Sequence, residues 1–271
     1  MRRIVLCADD YALAPGVSRA IRELVGRGRL NAVSVMTVIP DFARECGALV
    51  ATASPIPIAI GLHTTLTGPF KPLAALPFAT GDGNFPPIER YLTPPRFFRV
   101  DHRAVKAEVS AQIEAFRRTF GRTPDFVDGH QHVQLLRGVR GPFLEAVAEG
   151  APNAWVRQCG AAAGARVRGI KARLLQLFSR GFRRQAARHG LAFNPAFSGA
   201  YDFSTAEDFG ALFARFLRAM PERGVVMCHP GFVDQELIAR DPLTTRREEE
   251  YAFFAGDDFS TALAGAGVSL A

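Results

Sequence analysis

A chain of 271 residues, 48% of them hydrophobic and 22% charged, has the apolar material for a sizeable core, which excludes a disordered chain. No apolar run is long enough to span a bilayer, and the opening residues hold too few apolar side chains for a signal peptide, so a cytoplasmic protein is expected. The net charge of +7 is concentrated between Ala151 and Ala200, which hold nine cations and no Asp or Glu; with no nucleic-acid motif beside it, this excess does not point to nucleic acid.

In chain order, a strand over Arg3–Asp9 closes on the pair Asp9-Asp10, and a helix over Pro15–Gly28 begins on a proline suited to a first turn. A strand at Ala32–Val38, a helix at Asp41–Thr52 and a strand at Pro57–His63 follow. The stretch from 67 to 101 is rich in Pro, Gly and aromatic residues and reads as one long loop insertion, of a length usually tied to function. Next come a helix (His102–Phe120), a strand (Asp125–His130), a helix (Val139–Glu149) and a strand (Ala154–Gln158). The basic helix Arg166–His189 carries Leu174, Leu177, Phe178 and Phe182 at helical spacing among Lys171, Arg173, Arg180, Arg183 and Arg184. Two readings stand: a barrel helix with a solvated cationic face, or a basic amphipathic helix that lies on an anionic membrane, so that 166–188 makes peripheral contact. The chain ends with a strand (Leu191–Pro195), a helix (Thr205–Met220), a strand (Gly224–His229), a helix (Arg246–Leu263) and a strand (Gly267–Leu270). Seven or eight β–α units in this length predict a distorted (β/α) barrel, in a single domain over 1–271. Cys7, Cys46, Cys159 and Cys228 show no paired spacing and read as buried thiols in a reducing compartment.

In such a barrel, chemistry sits at the carboxyl ends of the strands. Asp9-Asp10, His63, His130 and His229 fall at those ends, with His132 beside them. Alternation places Ala59, Gly61 and His63 on one face, and Asp128, His130 and His132 on another single face, so the histidines are expected to look inward. Two imidazoles and a carboxylate make the usual set for a hydrolytic divalent metal, and a second carboxylate can take a proton from water. The adjacent aspartates can divide these tasks if the strand end twists.

The segments Ala8-Asp9-Asp10-Tyr11, Gly61-Leu62-His63, Asp128-Gly129-His130-Gln131-His132-Val133 and Met227-Cys228-His229-Pro230-Gly231 together resemble the YdjC-like carbohydrate deacetylases. That resemblance implies a barrel that hydrolyses N-acetyl groups of amino sugars. It implies Asp10, His63 and His130 as metal ligands, Asp9 as general base and His229 as the acid for the leaving amine, with Arg157 holding Asp9 ionised. One divalent ion is expected: zinc suits the ligands, with magnesium or another divalent ion open. The expected partner is an N-acetylated sugar or glycolipid, and a homo-oligomer is left open. Tyr11-Ala12, Thr64-Thr65 and Gln134 depart from the family's pattern without touching the metal triad, so they bear on which sugar is used. The alternatives are another metal-dependent amide hydrolase on a barrel and a non-catalytic sugar-binding relative.

Overall fold

The computed structural model describes residues 1–53, 56–94, 96–162 and 170–270. Eight strands are β1 (Arg2–Tyr11), β2 (Ala32–Val35), β3 (Ala59–Thr64), β4 (Phe126–Gly129), β5 (Trp155–Val156), β6 (Phe197–Ser198), β7 (Val225–Cys228) and β8 (Val268–Leu270). They form one parallel sheet in the order β5-β4-β3-β2-β1-β7-β6, and β8 pairs with the first residues of β1. Short end strands leave the distorted (β/α) barrel incompletely closed. At the seam, Val156 bridges to Phe193 and Phe197 donates its N–H to the Gly160 carbonyl at 2.9 Å.

The helices are α1 (Pro15–Gly26), α2 (Phe42–Ala53), α3 (Ile88–Leu92), α4 (His102–Phe120), α5 (Arg140–Gly150), α6 (Ile170–Arg188), α7 (Phe209–Leu217), α8 (Gln235–Arg240), α9 (Thr245–Ala255) and α10 (Asp258–Ala266). α4 shows why such segments form. Asp101 caps it by accepting the Ala104 N–H at 2.8 Å, and Gly121 ends it in the left-handed conformation. Its inward face, Val105, Val109, Ile113 and Phe116, recurs at helical spacing. On that face the buried Gln112 grips Thr65, accepting its N–H at 2.9 Å and donating to its carbonyl at 2.7 Å, which fixes the chain just past His63. Gly61 is required on β3 because a Cβ there would lie 2.3 Å from the Phe126 ring.

Several expected elements differ. The strand expected at Leu191–Pro195 is instead β6 at Phe197–Ser198, because Asn194 turns its side chain onto Gln158 and Ala196 and bends the chain. The helix expected from Thr205 starts at Phe209, where the Asp208 side chain accepts the Ala211 N–H. The long helix Arg246–Leu263 breaks at Gly256 into α9 and α10. The loop at 67–101 contains the short α3. Arg166 and Arg168 lie outside the described residues.

Candidate metal and catalytic site

Adjacent strand residues normally point to opposite faces, so Asp9 and Asp10 can meet only if the strand is broken. β1 is broken there: its register with β2 shifts between Ala8 and Tyr11, and Asp10 has φ 65°. Left-handed backbone is strained for a non-glycine residue, and such strain gathers at functional sites. Asp9 and Asp10 thereby line the same cavity of about 450 Å³, with His63, His130 and His229.

His63 and His130 reach this cavity by different routes. His63 stands on β3 in register with Asp128 of β4. The face-sharing expected of Asp128, His130 and His132 does not hold, because β4 ends at Gly129. The chain then enters a 3₁₀ turn, His130–Leu135, with Gln131 and His132 at φ 53° and 59°. His130 is thrown onto Asp10, with Nδ1 3.0 Å from Oδ1. His132 also lines the cavity, but packs edge-on against Phe197 and lies 3.6 Å from the Cys159 sulfur.

Asp10 is the meeting point. Its Oδ1 lies 3.2 Å from His63 Nε2 as well as 3.0 Å from His130 Nδ1, and one donor atom from each of the three residues fits within 4.8 Å of the others. A buried set of two nitrogens and one oxygen fits a divalent ion. The surroundings fit too: Asp128 Oδ1 takes the other ring nitrogen of His63 at 2.7 Å, the usual way a carboxylate orients a ligating imidazole. Burial opposes a charged imidazole at His63, but Asp128 and Asp9 outweigh it and hold its pKa up to about 10. Burial likewise opposes ionisation of Asp10, but Arg247 and His130 outweigh it and hold the carboxyl well below the usual range.

Beneath this set lies a second buried group, Cys7, Asp9 and Asp128, and a guanidinium already fills it. Arg157, immediately after β5 and wholly buried, spans both Asp9 oxygens at 2.5 and 2.7 Å and pairs with Asp128 at 2.6 Å. The expected pairing of Arg157 with Asp9 is present, and it is bidentate.

His229, just past β7, also lines the cavity, its ring edge-on to Phe203 and its Nδ1 buried without a hydrogen-bond partner among the described residues. Burial pushes its pKa down to about 3, so the imidazole is neutral at neutral pH. Its backbone N–H donates to Glu250 of α9 at 2.5 Å, and Tyr201 donates its hydroxyl to the other Glu250 oxygen at 2.7 Å. One turn earlier on α9, the buried Arg247 donates to Asp10 Oδ2 at 2.7 Å. Sequence reasoning missed Arg247, Glu250 and the orienting role of Asp128. A signal existed: Thr-Thr-Arg-Arg-Glu-Glu-Glu offers no apolar residue before Tyr251, so the inward face of that helix has to be charged.

A profile of the YdjC-like protein family matches residues 3–265. The chain belongs to that family. A chitooligosaccharide deacetylase of Klebsiella pneumoniae (strain 342) is 28% identical to this YdjC-like protein over 244 residues, 88% of this chain and 84% of that one. A human carbohydrate deacetylase is 33% identical over 152 residues, and that match spans 54% of this chain and 45% of the human protein. A solved structure from Enterococcus faecalis V583 superposes with a TM-score of 0.78 at 21% identity, covering 100% of this chain and 97% of that one, and so shares the fold.

Proposed function

We propose that this chain is a metal-dependent hydrolase that removes the acetyl group from the nitrogen of an N-acetylated amino sugar, in the cytoplasm. The observation that carries the reading is the convergence of Asp10, His63 and His130 beside a second carboxylate, Asp9, that a buried arginine holds in place. A pure binding site has no need of that second carboxylate, and a phosphoesterase with two metals needs more ligands than the group supplies.

Asp10, His63 and His130 would hold the ion, which when bound supplies polarisation of the acetamide carbonyl and a lowered pKa for water; zinc suits two imidazoles better than magnesium does. Asp9 takes the proton of the attacking water, and Arg157 keeps its carboxylate aimed during the transfer. His229 begins neutral. As negative charge grows on the acetamide oxygen, His229 takes up the proton that Asp9 drew from the water and hands it to the amine nitrogen as the C–N bond breaks and acetate leaves, which returns Asp9 to carboxylate and His229 to neutral imidazole.

The outer cavity supports a finer reading. Its walls include Leu92, Leu135, Leu136, Leu174, Leu175 and Phe178, which offer no hydrogen bonds to sugar hydroxyls. An amino sugar joined to an apolar group fits these walls better than a long free oligosaccharide. α6, which supplies three of them, would then meet the surface where such a glycolipid resides.

The test is acetate release from a panel of N-acetylated sugars and alkyl glycosides by protein loaded with zinc or magnesium. Asp9→Asn should retain the metal and lose about 10²–10⁴-fold in rate, the range for a lost general base. No acetate from any substrate overturns the activity, and a variant within about tenfold of the parent overturns the role of Asp9.

A further inference from the structure

Arg247 has no exposed surface and is held from three sides. Its Nε donates to the Leu243 carbonyl at 2.9 Å, and its Nη2 lies 3.3 Å from Asp241 Oδ2 and 2.7 Å from Asp10 Oδ2. Its backbone carbonyl accepts the Gly231 N–H at 3.1 Å, which ties α9 to the loop after His229. We infer that Arg247 is a positioning residue that confines Asp10 to offering a metal one oxygen, and so keeps the site from holding a dication too tightly. The inference rests on the metal reading above.

Two observations carry it. First, the oxygens of Asp10 are divided: Oδ1 faces both imidazoles, at 3.2 and 3.0 Å, while Oδ2 belongs to the guanidinium. Exchanging the two oxygens would break the guanidinium contact on Oδ2 and both imidazole contacts on Oδ1, so the carboxylate is held in this orientation. Second, each guanidinium is shared between carboxylates. Arg157 faces Asp9 and Asp128, and Arg247 faces Asp10 and Asp241, so Arg247 is the cation held against an oxygen of the proposed ligand. A cation fixed against a ligand oxygen in a buried site repels an incoming dication and weakens the donor it touches.

Removing that cation should therefore strengthen metal binding while harming turnover. With both oxygens free, Asp10 can take a second position on the ion, one the substrate needs. A purely structural arginine predicts the reverse, because loss of its support would loosen Asp10 and weaken the ion.

Isothermal titration of metal-free protein with zinc and with manganese separates the two. Arg247→Gln is expected to bind zinc about tenfold tighter or more, with a larger gain for manganese, which prefers oxygen ligands, while kcat falls and KM changes little. Weaker or unchanged zinc binding in Arg247→Gln overturns the inference. Arg247→Lys keeps the charge and guards against a variant that fails to fold. It is expected to stay within about threefold of the parent's zinc affinity, and a marked tightening there overturns the part assigned to charge. If the parent protein binds neither ion, the metal reading itself fails, which the titration shows before any variant is made.

Discussion

Glu250 is a carboxyl group with almost no contact with water, accepting one backbone and one hydroxyl hydrogen bond. Burial pushes its pKa up to about 7, against the pull of the His229 N–H, the Tyr201 hydroxyl and the arginines nearby. A folded-state pKa above the unfolded value means that the folded protein holds this proton more tightly. The resulting stability is complete below the unfolded pKa, near 4.5, and is lost as pH rises toward 7. His229 slopes the other way: its pKa is pushed down by burial, so its contribution falls as pH drops below the ordinary histidine value. Comparison of Glu250→Gln with the parent isolates the first effect. Denaturant unfolding at a series of pH values should show the stability difference between them shifting by roughly 3 kcal/mol between pH 4.5 and 7 in the direction that favours the variant at high pH. A flat difference would mean that Glu250 ionises normally. At this scale the aspartates and histidines were legible because strand ends filled with polar residues stand out. Arg247 and Glu250 were not, because charges at helical spacing look the same whether they face water or a buried carboxylate.

Among the elements, α6 has the buried face of a barrel helix and also leaves two leucines in the open. Phe182 is fully buried and Leu175 and Phe178 pack against the core, as a barrel helix requires. Leu174 and Leu177 remain 46% and 59% exposed, at the mouth of the cavity or next to it, among arginines. Among the described residues no helix is long and apolar enough to cross a membrane. The expected outcome is flotation with anionic liposomes that is lost at high salt and in the double variant Leu174→Asn, Leu177→Asn. Equal flotation with neutral vesicles, or none with either, would leave the arginines to solubility alone. Long periodic helices and β1 to β4 were readable because each has a full apolar face. The strand near 197 was not: two residues carry no periodicity, and its place depends on Asn194 bonding to Gln158. The turn after Gly129 was equally hidden, since nothing in Gln131-His132 announces positive φ.

For the molecule as a whole, the parallel sheet and its cavity were legible from the alternation of strands and helices, while the incomplete closure arises from end strands too short to pair. The metal reading has a global consequence that can be measured. An ion that binds the folded chain at a hundredfold excess over its dissociation constant contributes about 2.7 kcal/mol. Chelation of the loaded protein should therefore lower Tm by about 5–10 °C for a chain of this size, and an unchanged Tm would count against a resident ion.

β1 stands in the middle of the sheet, between β2 and β7, and carries both aspartates. Its partner on one side is met within the first 35 residues, but Val5 to Ala8 pair on the other side with Val225 to Cys228. During synthesis on the ribosome, β1 is thus completed only after the roughly 220 residues from it to β7 have emerged. Until then its β7 side is an open edge of unpaired backbone groups, the kind of template on which nascent chains stick to one another. Chaperone demand and poor recovery at fast expression rates follow from that contact order, and slower translation at low temperature should raise the soluble yield.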